Sequence, residues 1–473
     1  MQKDTRHFID GAWVDCSNAQ LIDVINPADE EVFGQIAAGT QAEVDLAVAA
    51  ANRAFDSFSR TPASDRLALL KRIRDLLEER SEEFAQSIVK EMGSTIAFAR
   101  AGQVHFGIEH IRASIDVLQD FVFQEEIHGI TVRKEAIGVV SMITPWNWPL
   151  YQITAKVGPA IAAGCTIVLK PSEMSPFTAQ LFAQVMHDAG TPAGVFNLVH
   201  GTGEEVGEAL SCHPDTQMVS FTGSTRAGIL VAKAAAPLVK RVVQELGGKS
   251  PNILLDDADF ADAVPKGVLA SMRNVGQSCA APTRMLVPRN RLAEVEELAS
   301  QAAATVVVRE PLDDEAVIGP LANAPQFAKV QDLIQVGIDE GAKLISGGVG
   351  RPQGLNRGFY VRPTVFSEVT SEMRIAQEEI FGPVLAIQPY EDEEDAIRIA
   401  NSTDYGLSSH VQSADQERAR RVAGRIRAGQ VHINYPAWSR HAPFGGYKQS
   451  GNGREYGLFG LEDYLEVKGI LGY

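Results

Sequence analysis

Between residues 138 and 245, short apolar runs alternate with helical patterns, and this alternation restricts the possible folds more than any other feature. The run Gly138-Val139-Val140-Ser141-Met142-Ile143 opens the series, and strand-like runs follow at Thr166–Lys170, 195–199, 217–221 and 239–245. Helical spacing fills the gaps at 176–189, 204–211 and Thr225–Ala235. Strands this apolar suit a parallel sheet covered on both faces, because neither face tolerates water. Strands separated by helix-length segments predict a doubly wound α/β architecture. A second α/β region is expected from about residue 248 to 435, with strands near 252–255, 284–287, 364–365, Val384–Tyr390 and 430–434.

The flanks read differently. Residues 7–36 alternate apolar and polar side chains between Gly, Asn and Pro breaks (Phe8-Ile9-Asp10-Gly11-Ala12-Trp13), as short strands and turns do. Helices are expected over 41–58, from Thr61-Pro62 onward with Leu67, Leu70, Ile73 and Leu77 on one face, and over 94–119. Two β-like runs follow at 121–130 and 131–143, and a last strand at 464–468. At 473 residues the chain needs two or three domains. Its net charge of −17 argues against a nucleic-acid or anionic-membrane surface, since both require a basic face. The N-terminus has no apolar signal region, and no apolar stretch is long enough to span a membrane. The four cysteines (Cys16, Cys165, Cys212, Cys279) form neither a disulfide framework nor a metal-ligand pattern, which fits a reducing, cytoplasmic setting and no bound metal.

Cys279 ends the stretch Asn274-Val275-Gly276-Gln277-Ser278-Cys279 and is a candidate nucleophile. A free cysteine is more often a small buried residue, so the reading depends on its company. Pro145-Trp146-Asn147-Trp148-Pro149 follows a buried strand, where α/β sheets hold ligands and where an amide can donate to an oxyanion. Lys170-Pro171-Ser172-Glu173 also ends a strand and offers ribose-binding groups. Phe221-Thr222-Gly223-Ser224 leads into a helix whose N-terminus can meet a phosphate, although its glycine spacing is not a dinucleotide fingerprint. Glu245-Leu246-Gly247-Gly248-Lys249 puts a carboxylate on a glycine turn, as a general base requires. Taken singly, each also reads as an ordinary turn or strand end.

Together with Glu378-Glu379-Ile380-Phe381-Gly382-Pro383 and Pro443-Phe444-Gly445-Gly446-Tyr447-Lys448, these motifs resemble the aldehyde dehydrogenase superfamily, in its order and spacing, from about residue 8 to 469. The resemblance implies a Rossmann-like, parallel-sheet cofactor domain (1–120 and 139–247), a second α/β catalytic domain carrying the thiol (248–447), and a small β-arm for oligomerisation (121–138 and 448–473). It implies Cys279 as nucleophile, Asn147 and the Cys279 N–H as oxyanion hole, Glu245 as general base and Lys156 as a proton-relay lysine. Cofactor contacts are implied at Ile143, Thr144, Trp146, Lys170, Ser172, Glu173, Phe221, Gly223, Ser224, Leu246, Glu379 and Phe381. The cofactor is NAD, with NADP less favoured because the Glu173 carboxylate stands where a 2′-phosphate would sit, partly shielded by Lys170. The expected reaction is oxidation of an aldehyde to the acid through a thiohemiacetal and a thioester that Glu245-activated water hydrolyses. A homodimer or homotetramer is expected.

Tyr151, Gln152, Ala155, Arg273, Trp438 and Phe444 are the implied substrate residues. Semialdehyde members carry two arginines for a substrate carboxylate; this chain has Arg273 but Ala155 in place of the second. A small residue there is expected to widen the tunnel for a bulky, aromatic or extended aldehyde, with Arg273 meeting a distal polar group. Arg440 and His441, in the loop before Phe444, read either as positive charge at the tunnel mouth or, more simply, as solvated loop residues. Three rivals remain at this level: a coenzyme A-acylating enzyme, a non-catalytic protein on the same scaffold, and a cysteine hydrolase. Glu245 opposes the first and the intact Cys279, Asn147 and Glu245 set the second. The third needs a histidine partner that the sequence does not supply.

Overall fold

The computed structural model describes residues 2–16 and 20–472. Five strands build the parallel part of the first sheet: β1 (Val139–Ile143), β2 (Thr166–Lys170), β3 (Phe196–Leu198), β4 (Met218–Thr222) and β5 (Arg241–Glu245). Their spatial order is β5-β4-β1-β2-β3, so the chain reverses its direction of winding between β1 and β4. A crevice opens outside the carboxyl ends of strands at such a switch point, and ligands bind there. The predicted α/β class with a Rossmann-like sheet is therefore what forms. Antiparallel strands extend both edges: the hairpin Arg6–Ile9/Ala12–Asp15 beside β3, and Gly451–Asn452 beside β5. Asp10 and Gly11 take the two positive φ angles (53° and 79°) that a tight hairpin turn requires.

The second sheet runs in the order Lys343–Ser346, Thr364–Ser367, Val384–Tyr390, Arg284–Pro288, Pro251–Leu254, Ser408–Gln412, Gln430–Ile433, all parallel except the first. Ser408–Gln412 is a strand that the sequence reading lacks. Its sequence, Ser-Ser-His-Val-Gln, has no apolar run, yet it is almost wholly buried between two neighbours. Tertiary pairing overrode propensity there.

Two other expectations change. The run 131–143 divides at Ile137-Gly138, where Gly138 has φ +138°; Ile130–Ala136 joins a separate antiparallel sheet with Gln124–Ile127 and Leu465–Ile470, and β1 enters the first sheet. The expected helix over 94–119 is three pieces: Ile96–Phe98, a π-helical turn Ala99–Val104, and His105–Asp120. β5 begins at Arg241, because Val239 turns into the left-handed region (φ 52°). No helix among the described residues is long and apolar enough to cross a membrane.

The first hydrophobic core packs helices Ala63–Glu79, Ser81–Met92, His105–Asp120 and Pro149–Ala163 against β1 and β2. Pro149–Ala163 starts on Pro149, stops at the left-handed Gly164 (φ 92°) and is buried nearly all round. Such a helix belongs inside the protein. It leaves directly from the tryptophan motif at the end of β1, so the site is tied to the most buried helix of the fold. The second core lies between the second sheet and helices Phe260–Met272, Leu292–Ala304 and Ala324–Asp339.

Candidate active site

β5 ends at Glu245, and the chain passes through Leu246-Gly247-Gly248 into Pro251–Leu254 of the second sheet. The crossover therefore lies between the two sheets. Cys279 reaches the same place from the other side. Helix Phe260–Met272 ends, and Asn274, Val275 and Gly276 follow with φ of 55°, 58° and 70°. Two consecutive non-glycine residues in the left-handed region are strained and persist only when their surroundings enforce it. At Gly276 a Cβ would stand 2.1 Å from the Gly382 carbonyl oxygen, so only glycine lets the thiol segment lie against the Glu379–Phe381 segment. At Gly248 a Cβ would stand 2.1 Å from the Cys279 carbonyl oxygen.

These segments enclose a cleft of about 210 Å³, lined by Trp146, Asn147, Gln152, Thr222, Gly223, Ser224, Leu246, Gly247, Cys279, Gln326, Lys329, Glu379 and Phe381, with Pro145 at its edge. It lies at the carboxyl ends of β1, β4 and β5. Ile143, Phe221 and Leu246 are buried together beneath it, and Thr144 is buried at the end of β1. Ser224 caps helix Thr225–Ala235 by accepting from the Ala227 N–H at 3.2 Å. The Trp146 and Phe381 rings meet edge to face at 5.5 Å. Lys170, Ser172 and Glu173 stand at the carboxyl end of the neighbouring β2, outside this lining. Lys170 donates to Glu173 at 2.9 Å, and the Ser172 hydroxyl accepts from the Met174 N–H at 3.2 Å. The Thr222 hydroxyl is buried in the cleft wall without a protein partner.

Asn147 is 4% exposed, and its side-chain N–H donates to the Gln277 carbonyl at 3.0 Å. That bond fixes which end of the amide is the donor, because a carbonyl oxygen only accepts. The Trp148 indole donates to the Ser278 hydroxyl at 2.9 Å, a second tie between the tryptophan motif and the thiol segment.

Electrostatics at the thiol are unfavourable to charge in the resting protein. Burial, then the carboxylates of Glu379 and Glu245, raise the Cys279 pKa well above that of an ordinary thiol. Glu245 is 1% exposed, and neither carboxyl oxygen has a protein hydrogen bond. Burial and the nearby Glu455 raise its pKa well above the carboxylate range, only partly offset by Lys156 and Arg454. A buried carboxyl with a raised proton affinity and no protein hydrogen bond can take a proton in the site without competition from a protein donor. Glu379 is raised by burial too, and accepts the Gly248 N–H at 2.9 Å.

Lys156 is fully buried and donates to Glu455 at 2.5 Å and to the Ser220 hydroxyl at 3.2 Å. Glu455 escaped the sequence reading, as it lies between Arg454 and Tyr456 with no motif around it. Gln326 was also missed; its amide donates to the Ile380 and Phe381 carbonyls at 2.9 and 2.7 Å and holds Phe381 at φ 60°. No sequence signal marks either role.

The substrate residues divide. Tyr151, Ala155 and Phe444 pack with Cys279, Leu407 and Tyr456. The Tyr151 and Tyr456 hydroxyls meet at 2.5 Å, and the Phe444 ring stacks on Tyr456 at 5.1 Å. Gln152 lines the cleft with its carbonyl oxygen unpartnered. Trp438 is 38% exposed and covers Phe106 (4.8 Å) and His110 (5.7 Å). Rings of Phe106, His110, Trp148, Tyr151, Trp438, Tyr456 and Phe444 thus form a continuous aromatic wall. Burial holds His110 neutral, with its pKa lowered to about 3.

Three substrate expectations are corrected. Ala155 does not face a wide void: it is 2% exposed and packs with Leu407, Phe444 and Tyr456, and the cavity it shares with His110, Pro159 and Tyr456 is only about 10 Å³. Arg273 is exposed, so it does not offer a buried charge to a carboxylate. Arg440 is not a solvated loop cation; it pairs with Glu109 at 2.7 Å and Asp116 at 2.8 Å, and His441 stands 3.3 Å from Asp116.

No histidine lines the cleft at Cys279, and the described residues contain no group of three or more potential metal ligands. The chain matches the sequence profile of the Aldehyde dehydrogenase family over residues 13–470. It is 54% identical to a 3-succinoylsemialdehyde-pyridine dehydrogenase of a Pseudomonas species, over all of this chain and 99% of the relative. Among solved structures, it is similar to aldehyde dehydrogenase C of Pseudomonas syringae, a cysteine-to-alanine variant in complex with NAD+ and octanal. That match has a TM-score of 0.98 and 61% identity, and covers 98% of this chain and 96% of the other. A betaine aldehyde dehydrogenase of Staphylococcus aureus in complex with NAD+ matches with a TM-score of 0.96 and 37% identity, over 99% and 94% of the two chains. With its cleft at the switch point, its thiol and its oriented amide, this chain belongs to the aldehyde dehydrogenase family.

Proposed function

We propose that this protein oxidises a bulky, aromatic or extended aldehyde to its carboxylic acid with NAD, using Cys279 as nucleophile, Asn147 as oxyanion donor and Glu245 as general base. One observation carries the reading: Cys279 and Asn147, from chain segments more than a hundred residues apart, line one cleft with Ser224, Glu379 and Phe381. NAD fits this cleft. Thr222, whose buried hydroxyl has no protein partner, lines it, a helix N-terminus opens on it at Ser224, and Glu379 lines it where it could hold a ribose. Lys170, Ser172 and Glu173 extend it along the sheet. Bound there, NAD supplies the hydride acceptor.

The Cys279 thiol gives its proton to the Glu245 carboxylate, from which it passes to solvent; the sulfur then bonds to the carbonyl carbon, and the carbonyl π pair moves onto oxygen. The second N–H of Asn147, not used by Gln277, and the Cys279 backbone N–H receive that negative oxygen. As the C–O double bond re-forms, hydride leaves the carbon and a thioester remains on Cys279. Glu245 then removes a proton from water, the water oxygen attacks the thioester, and the C–S bond breaks to release the acid and the thiolate. The Lys156–Glu455 pair, buried beside Glu245, sets the charge that its proton feels. Hydride leaves readily only from the tetrahedral adduct, whose oxygen lone pair re-forms the C–O double bond, which is why sulfur adds before the oxidation and hydrolysis comes last.

The substrate reading rests on the aromatic wall leading away from Cys279, whose rings favour apolar or ring-bearing chains. Tyr151, Gln152, Ala155, Trp438 and Phe444 would border that chain. The three-strand sheet of Gln124–Ile127, Ile130–Ala136 and Leu465–Ile470 leaves Ile127 and Val467 exposed, with Leu471 exposed just beyond it, which supports a homodimer or homotetramer through this arm. A working thiol fits a reducing compartment, the cytoplasm.

The test is NAD reduction with benzaldehyde-type, straight-chain and ω-carboxylate aldehydes, with and without coenzyme A and with NADP in parallel. Extended or aromatic aldehydes with NAD should give the highest kcat/KM, and Cys279→Ala should abolish turnover while NAD still binds. Retained oxidation in Cys279→Ala would remove the thiol from the mechanism. A dependence on coenzyme A would replace water by a thiol in the last step.

A further inference from the structure

The π-helical turn Ala99–Val104 sets Ala99 and Val104 into the first core and also buries a polar residue, Gln103. A π-turn inserts one residue into a helix and often marks a functional position. Here it presents Gln103, 0% exposed, to the back of the active site. The Gln103 amide donates to the Asn147 carbonyl at 3.0 Å and to the Asn274 side-chain oxygen at 3.0 Å. Asn274 in turn donates to the Asn147 carbonyl at 2.9 Å and to the Gln277 carbonyl at 3.2 Å. Asn147 donates to that same Gln277 carbonyl.

Three amides and two carbonyls thus form one uncharged, buried network. Both hydrogens of the Gln103 amide face acceptors, and both hydrogens of the Asn274 amide do the same. This leaves each amide a single orientation, because reversing either would put oxygen against oxygen. Among the described residues, Gln103 alone donates to this network from outside the tryptophan and thiol segments.

We infer that Gln103 is a positioning residue that orients the Asn147–Asn274–Gln277 amide network and thereby aims the Asn147 N–H at the reacting oxygen. The inference rests on the proposed role of Asn147. It makes Gln103 a determinant of the step in which charge develops on that oxygen, without touching substrate or cofactor.

The test compares Gln103→Met and Gln103→Glu by the rate of the first NADH burst on octanal from pH 6 to 9, with NAD affinity measured separately. Gln103→Met removes both donors and should lower the burst rate about 10- to 100-fold at every pH, the scale of a small misplacement in an active site. Gln103→Glu keeps one O–H donor while its carboxyl is protonated and none as a carboxylate. Its rate relative to the native protein should therefore fall as pH rises, whereas that of Gln103→Met stays flat. NAD affinity should be unchanged in both. Loss of NAD binding in parallel with rate, or equal pH-independent rates for the two variants, would reduce Gln103 to a folding role and overturn the inference. Asn147→Ala separates the two claims. If it keeps the full burst rate, the Asn147 assignment fails and this inference with it; if it is slow and the Gln103 variants are not, only this inference fails.

Discussion

Glu455→Gln is the perturbation that most directly tests the electrostatic design of the site. Lys156 and Glu455 are 0% and 5% exposed and stand 2.5 Å apart. At an effective dielectric constant near 20 their attraction is roughly 6–7 kcal/mol, most of which offsets the cost of taking both charges out of water. Removing one charge leaves the other uncompensated, a loss of about 3–5 kcal/mol for buried pairs. Glutamine keeps a hydrogen-bonding oxygen and Lys156 keeps Ser220, so the expected loss is about 3 kcal/mol. Adding Lys156→Met should recover much of it, since an apolar replacement of a buried pair is often near neutral.

The same substitution acts on Glu245. Glu455 is among the causes that raise the Glu245 pKa, while Lys156 opposes it. Deleting the negative charge and leaving the positive one lowers the Glu245 pKa, so the base becomes available at lower pH. Urea unfolding of the single and double variants measures the first effect, and the pH dependence of kcat measures the second. The expected outcome is a less stable enzyme whose rising pH limb moves toward acid. An unshifted or alkaline-shifted limb would refute the coupling between Glu455 and the base. Native-like stability of the single variant would refute the argument from an uncompensated ammonium.

Gly248→Ala places a methyl 2.1 Å from the Cys279 carbonyl oxygen, so the thiol backbone must move; kcat should fall on the order of 100-fold, and a native kcat would show that the close approach relaxes freely. Arg440→Met removes the ion pairs to Glu109 and Asp116 that hold the Trp438 loop against helix His105–Asp120. The pair is about a third exposed on the arginine side, so stability should change by only about 1 kcal/mol or less. KM for extended aldehydes should rise roughly fivefold, and high salt should have the same effect on the native protein; equal KM values at all salt concentrations would argue that Trp438 holds itself in place.

Local sequence carried the first sheet. The runs at β1, β2 and β4 are apolar on both faces, and each is followed by a helix with its own start signal, so chain order and strand type follow from composition and spacing. The motifs around Cys279, Asn147 and Glu245 were legible for the same reason: each is a short contiguous stretch with its chemistry in one place. Where a strand is polar, as in Ser408–Gln412, its burial comes from two neighbours that are distant in sequence, and no local pattern announces it.

What the tertiary structure alone decided is how those stretches are completed. Glu455 joins Lys156 across 299 residues, and Gln103 joins Asn274 across 171. Their roles depend on the fold bringing single, unremarkable side chains into a buried space where each must find a partner. Tyr456 likewise packs with Ala155, which puts an aromatic ring where a wide void is expected. Sequence determines which groups are available and in what local geometry. Packing determines which of them are dry, which are paired and therefore which are charged, because desolvation and pairing are properties of the assembled interior and not of any one segment.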